Sequence, residues 1–549
     1  MNLGTIHSVR PFKGAPTGLL FACVFFLGAT VLAAQPPAYV VSGFDAERVA
    51  AEDLQRAERG DLELYGRLLE VELDTEHDGL WSEEADRVWR ARLISPGALA
   101  TELFFADVRL PEGASFSILN DAGRIAFGPF TAADLNGTDL FTTPLVDGEA
   151  SIVEYREPVG TEVRGGFRIT HVGHAYRDVL DGPCHVNVAC SPEGDGWREV
   201  AAAVVRISVV VPAGMGWCSG TLVNNVRQDC KPYVLTAWHC GSASTAANFN
   251  SYKFYFNFEF SGCNGGTYST AQFRTGAQLK AFSNDNSGNA GSDFMLLELN
   301  AAIPDSFDPY YAGWDATPTS TSSADGVCLH HPTSAPKKVS TYTQTLTTGH
   351  WAASTGLQSH WRVYWAATEN GHGITEEGSS GGPLLKQDAS GNALVIGTLS
   401  GSVGGLSCDN PGTASYFGKM SYHWTGNPNT ATQKLKNWLD PDNTGMTQLL
   451  GSADPCNVQS GIGANDREHF RISPNPADNL VSIEADGTAA GSPSVLTVCD
   501  AAGRTEHELQ LNASGPTTID ISQWTVGVHF LKFVGINGTL RTAPLLKIP

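Results

Sequence analysis

The chain has 549 residues, 42% of them apolar, so it is long enough for several folded units, each with its own core. It carries 57 acidic against 35 basic residues, a formal charge of −22. That balance excludes a nucleic-acid binder or a protein held to an anionic membrane by a basic face, both of which need clustered cations.

In chain order, Arg10 and Lys13 precede an apolar run, GLLFACVFFLGATVLAAQ, that ends in small residues at Ala33 and Ala34. Residues 1–34 therefore read as a secretory signal peptide, and export is expected. No later stretch is long and apolar enough to span a bilayer, so no transmembrane span is expected in the mature protein. Residues 35–181 form the next unit. It opens acid-rich with helical flavour from about Asp45 to Asp86, then alternates apolar and polar residues between Gly, Pro and Asn/Asp turns. This predicts a β-rich module, read as a propeptide.

Cysteines begin after Tyr176, and residues 182–452 make the central unit. Of the 11 cysteines, Cys23 lies in the signal, and most of the others fall between Cys184 and Cys408. In an exported chain that density reads as a disulfide framework. No Cys-x-x-Cys pair suggests a metal site, and adjacent His330 and His331 before Pro332 read as a structural turn with too few ligands for an ion. Neither metal nor cofactor is expected. Residues 453–467 are a Gly/Ser/Asn-rich linker, and residues 468–549 alternate in short strands, VSIEA, SVLTVCD and VHFLKFV, predicting a small β-sandwich.

Three segments of the central unit carry chemistry. Amide hydrolysis by serine needs a base for the hydroxyl proton, a carboxylate to orient that base, and donors for the oxyanion. His239, in LTAWHCG, ends an apolar strand, and Cys218 is placed to bridge Cys240 and pin the loop that presents the imidazole. Asp293, in SDFMLLELN, opens a buried strand where a carboxylate can accept the imidazole hydrogen. Ser380, in EEGSSGGPLL, precedes Gly-Gly-Pro, so the backbone can turn sharply and aim the amides of Gly378 and Ser380 at one point. Ser379 is expected to point elsewhere. The order His, Asp, Ser is that of chymotrypsin and differs from those of subtilisin and the α/β-hydrolases.

At these residues the chain resembles the bacterial lysyl endopeptidases, trypsin-like serine proteases made with an N-terminal propeptide. The likeness covers roughly Cys184 to Leu450 and rests on CHVNVACSPEGDGWRE, CSGTLVNN, LTAWHCG, SDFMLLELN, AGWD, LHHP, TEEGSSGGP and WLDPDNTG. It implies an all-β fold with a chymotrypsin-like double β-barrel, a triad of His239, Asp293 and Ser380, and disulfides Cys184–Cys408, Cys190–Cys263 and Cys218–Cys240. Cys230 and Cys328 are extra and are candidates to pair with each other; Cys456 and Cys499 have no assigned partner. Chymotrypsin-like enzymes usually carry Asp where Ser379 stands; in many zymogens that Asp takes the newly cut N-terminal ammonium. Here that switch cannot operate, and the region before residue 184 is expected to inhibit or chaperone the enzyme.

Two departures bear on specificity. Counting back from Trp424 places Ser415 where lysyl endopeptidases carry a pocket Asp, and their substrate-strand His aligns with Ser400. The pocket position of trypsin, six before the nucleophile, is Ile374. Burying a lysine ammonium without a carboxylate is costly, so the residue before the scissile bond is expected not to be lysine. Backbone pairing of an extended substrate with Ser400 and Gly401 is expected to survive.

The tail resembles type IX secretion sorting domains through FRISPNPADNLVSIEADG, VCDAAGRT and GVHFLKFV. That implies contact with the secretion machinery and a secreted or outer-membrane surface location. The whole reads as a secreted serine endopeptidase acting on proteins or peptides; the alternative is a secreted binding protein on a protease fold without turnover.

Overall fold

The computed structural model describes residues 35–177, 182–283, 291–317, 323–351, 358–457 and 470–548, apart from breaks at 136, 403, 428–429, 474–476, 486–493, 500–503, 512–516 and 535–539. The signal peptide and most of the 453–467 linker lie outside the described residues. The fold is mostly β, 43% strand and 13% helix.

Helicity in the N-terminal region stops earlier than its composition suggests. The helix Ala46–Arg59 starts at Asp45, whose carboxylate accepts from the Glu47 and Arg48 amides, and ends at Gly60 in the left-handed conformation (φ 69°). Beyond it, LYGRLLEVELD takes the alternation of a strand, Leu64–Asp74. Apolar residues recurring every second position there outweigh the helix-forming Glu and Leu.

One sheet of this region joins Ala38–Val40, Leu80–Glu83, Arg87–Ile94, Ala150–Glu157, Ser115–Asn120 and Ile125–Phe130. Trp89, Phe116, Tyr155 and Phe167 fill the core beneath it, together with Tyr255, Phe258 and Phe273 of the central unit. A second sheet crosses between the two units. Its N-terminal strands, Ala100–Arg109, Gly166–Ala175 and Leu64–Asp74, continue into Gly214–Val223, Val204–Val211, Lys253–Tyr255 and Phe273–Thr275. Gly66 is needed at the crossing, because a Cβ there would stand 2.8 Å from the His174 carbonyl and 2.5 Å from Met215.

The central unit has two curled sheets. In the first, the strands just named continue through Tyr233–Thr236 and Met295–Leu299 to Ala277–Phe282. Its end strands are covalently joined through Gly276, although no ladder closes the ring among the described residues. The second runs Val186–Asn187, Lys338–Tyr342, Gly326–His330, Pro383–Gln387, Ala393–Ser402, Ser415–Lys419, His360–Val363, Thr347–Gly349. The C-terminal region packs a three-stranded sheet and a four-stranded sheet around Val481, Ile483, Leu496, Val498 and Leu531.

The disulfides are Cys184–Cys408, Cys190–Cys263, Cys218–Cys240 and Cys230–Cys456. The fourth corrects the suggested Cys230–Cys328 pair. Cys328 is a fully buried free thiol on a central strand, whereas Cys230 lies on a loop that meets the end of the central unit. Cys499 is likewise free and buried.

A buried ion pair fastens the crossing sheet. Glu102 of the N-terminal region meets the Lys253 ammonium, both side chains wholly inaccessible to solvent. Burial pushes Glu102 up and Lys253 down from their ordinary values, and the mutual attraction opposes both shifts. Removing one partner strands the other charge. In full-length protein carrying Ser380→Ala, Glu102→Ala is expected to destabilise the N-terminal region by about 3–5 kcal/mol, read as a lower denaturant midpoint. An unchanged midpoint would mean the pair contributes nothing to docking.

Candidate active site

The two sheets of the central unit meet where the turn 376–382 rests on the strand Gly214–Val223. Ser219 donates its amide to the Ser380 carbonyl at 2.8 Å and its hydroxyl to the Gly378 carbonyl at 2.9 Å. Gly381 (φ 83°) completes the turn; a Cβ there would lie 2.1 Å from the Thr236 hydroxyl and 2.4 Å from the Ser219 carbonyl. No side chain fits, which explains the glycine after Ser380.

His239 follows the strand Tyr233–Thr236 on a short helical turn, pinned by the Cys218–Cys240 bond. Asp293 is fully buried and in the left-handed region (φ 52°), a strained setting for a non-glycine residue. Its carboxylate accepts from the His239 amide at 2.9 Å and lies 2.8 Å from Nδ1. The ring and its support are thus held by the same carboxylate. Burial lowers the imidazole pKa, but the charge and hydrogen bond of Asp293 outweigh it, and His239 titrates above the ordinary 6.5.

His239 and Ser380 line one cavity of about 600 Å³, and no hydrogen bond joins them in this resting form. The Gly378 and Ser380 amides have no acceptor among the described residues. Thr375, Ser400 and Gly401 also line the cavity, as do Glu376, Glu377 and Trp351. The ladder shifts register between Leu399 and Gly401, which leaves Ser400 out of the pairing with Ser415–Lys419. Ser415 and Ile374 are set behind the wall: both are fully buried, and the Ser415 hydroxyl bonds Thr375 Oγ1 at 2.8 Å while accepting from Trp365 Nε1 at 2.9 Å.

Several partners of these residues were not singled out in the sequence. Ser379 does point away from the cavity, its hydroxyl 2.7 Å from His330 Nδ1 and accepting from the Glu376 amide at 3.1 Å. His330 Nε2 continues the chain to Ser340 Oγ at 2.9 Å, and burial drives this imidazole far below its ordinary pKa, so it is neutral. His185 Nε2 meets Glu376 at 2.9 Å, and His360 Nε2 meets the Ser400 hydroxyl at 3.0 Å. Thus a histidine does stand behind Ser400, supplied by another strand. None of these pairs has a sequence signal, because each joins segments that only the fold brings together.

The far wall comes from the N-terminal region: Asp53, Arg56, residues 60–65 and Arg177 line the same cavity. Ser379→Ala leaves buried His330 Nδ1 and the Glu376 amide without their partner. It is expected to cost about 1–3 kcal/mol in the denaturation of the Ser380→Ala protein. A smaller cost would place water in that position.

Residues 180–418 match the family described as lysyl endopeptidase, C-terminal domain, and residues 471–542 match the secretion system C-terminal sorting domain. Among solved structures the chain is similar to a thermostable serine protease, AL20, from an extremophilic microorganism, at 14% identity and TM-score 0.29, covering 40% of this chain and 92% of that one. It is also similar to the protease Anisep from Arthrobacter nicotinovorans, at 15% identity and TM-score 0.30, covering 40% and 91%. Residues 180–418 are thus similar to the lysyl endopeptidase C-terminal domain, which supports a peptidase, and the sorting domain that follows marks the chain as secreted or attached to the cell surface.

Proposed function

We propose that the protein is a serine endopeptidase in which Ser380 attacks the scissile carbonyl, His239 takes and returns the proton, Asp293 orients His239, and the Gly378 and Ser380 amides stabilise the oxyanion. The observation that carries this reading is the buried Asp293 carboxylate, which binds both the Nδ1 and the main-chain amide of His239 beside the cavity that Ser380 lines. With Nδ1 engaged, Nε2 is the nitrogen left to accept the serine proton. The absent His239–Ser380 hydrogen bond fits a resting site, since such contacts tighten when substrate arrives.

The N-terminal region acts as an inhibitor in this reading. Its residues 60–65 cover the cavity, and Leu64–Asp74 pairs with the strand next to the nucleophile turn, so an extended substrate cannot take that edge. Its removal opens the site.

The residue before the scissile bond is expected to be uncharged. The Ser415 hydroxyl is already engaged by Thr375 and Trp365, and Glu376 is paired with His185. Glu377 also lines the cavity, but the place of the family's pocket carboxylate is taken by Ser415, so a lysine ammonium would lack a counter-charge there. A peptide library cut by the matured enzyme, with Ser380→Ala as blank, should show cleavage after uncharged residues. Cuts after lysine that vanish in the blank would overturn the assignment.

Ser380→Ala is expected to lower turnover by at least about 10³-fold and to abolish labelling by a serine-directed phosphonate or fluoride reagent. A protein that labels at no serine and cleaves no better than the blank would instead be a binding protein. In the free enzyme the base must be neutral, so kcat/KM should rise with pH through a pKa above the ordinary 6.5 of histidine. Asp293→Asn should lower kcat by about 10⁴-fold. A rise with pH centred below 6.5 would contradict the raised imidazole.

A further inference from the structure

The edge covered by the N-terminal region has a direction. Gly214–Val223 runs toward the nucleophile turn, which it meets at Ser219, and Leu64–Asp74 lies antiparallel to it, with Leu64 opposite Gly216 and Gly66 opposite Met215. A chain on this track therefore runs away from Ser380 in its N-to-C direction. A substrate that replaced it would place there the residues following the scissile bond.

On that track Tyr65 lays its ring on Trp217, the centroids 4.4 Å apart and the planes 17° from parallel. Its hydroxyl reaches Ser208 Oγ at 2.8 Å and, more distantly, Glu102 of the N-terminal region itself at 3.3 Å. Trp217 is itself held. The Arg206 guanidinium lies 4.4 Å from the indole centroid, 4.6 Å from Tyr255 and 3.7 Å from Phe258, and donates to the Ser334 carbonyl at 2.9 Å. A large aromatic fixed by a buried cation, beside a hydroxyl from the neighbouring strand, is a preformed surface whose present occupant belongs to a removable segment.

We propose that Trp217 and Ser208 form a subsite for an aromatic residue after the scissile bond, tyrosine best of all, which Tyr65 occupies in the precursor. The proposal rests on the endopeptidase reading above. Trp217 is two residues from Ser219, about 7 Å along an extended strand, which places the subsite at the second or third residue beyond the cleaved bond. Tyrosine is favoured over phenylalanine because the Ser208 hydroxyl would otherwise lose its partner.

The test uses full-length protein, secreted and matured by its host, and peptides varied at the first four positions after the cleaved bond. At the second or third position, tyrosine should raise kcat/KM about five- to tenfold over alanine, as expected for one good aromatic stack. Trp217→Ala should bring that ratio to near one, Trp217→Phe should keep most of it, and Ser208→Ala should equalise tyrosine and phenylalanine. A ratio near one at all four positions in the unaltered enzyme, or a ratio that survives Trp217→Ala, overturns the subsite while leaving the protease intact. Cleavage no greater than that of Ser380→Ala overturns the endopeptidase reading itself. A measurement independent of variant folding is inhibition of the matured enzyme by a peptide of residues 61–68. It should inhibit at least fivefold better than its Tyr65→Ala form, and equal inhibition overturns the proposal.

Discussion

All the hydrogen-bonding groups of Ser219 are engaged, and together they tie the turn 376–382 and His331 to the first sheet. Its amide and hydroxyl donate to the carbonyls of Ser380 and Gly378, its hydroxyl accepts from the His331 amide, and its carbonyl accepts from Thr236. The residue before it, Cys218, is bonded to Cys240, the neighbour of His239. One dipeptide thus sets the distance between the imidazole, which belongs to the first sheet, and the serine, which belongs to the second. The same edge of that strand, opposite Met215 and Gly216, carries Leu64–Asp74, so the position of the covering segment is fixed by the element that fixes the site. Register on this strand matters more than elsewhere, because a slip of one residue would turn each of these groups to the wrong face.

The serine in place of the usual aspartate changes what the turn needs from its surroundings. A buried carboxylate at residue 379 would demand a cation. Ser379 asks only for a donor and an acceptor, which the Glu376 amide and a neutral His330 provide. The chain Ser379–His330–Ser340 is satisfied without any charge, and its burial is what keeps His330 neutral. Such a network has no charge to switch on when a chain is cut. In the proposed reading control of the site falls to its cover, which is held by charged pairs: Glu102 with Lys253 inside the joint, and Arg67 and Arg177 with Asp53 beside the cavity.

The placement of His239, Asp293 and Ser380 around one cavity was legible in the sequence because their local signals, a strand end, a strand start and a glycine-rich turn, are each contiguous. The outward turn of Ser379 was legible for the same reason. What escaped has a common cause. Cys230–Cys456, His185–Glu376, Tyr65–Trp217 and His360–Ser400 each join segments far apart in the chain, and nothing local in either member marks the other. The helix was overextended for a different reason. Acid-rich composition favours helix, yet Gly60 in a left-handed cap and the alternation after it decide the matter locally. Ser415 shows a limit of alignment by counting. The count located the residue correctly in the pocket's surroundings, but only the fold reveals that Thr375 stands between it and the cavity.

That arrangement bears on how specificity is divided along the substrate. In the proposed reading the wall on the side before the scissile bond includes Thr375, over a hydroxyl already engaged by an indole, with Glu376, held by His185, and Glu377 also lining the cavity. On the side after the bond stands Trp217, a large aromatic with a buried cation against it and a hydroxyl within reach of its occupant. Stacking of one ring on another is worth about 0.5–1.5 kcal/mol beyond the area buried. In the proposed reading, Trp217 adds discrimination by stacking on the leaving side. The same feature bears on the proposed role of the cover: a segment that presents Tyr65 to Trp217 would compete for the surface that an aromatic substrate residue takes, without entering the pocket next to Ser380.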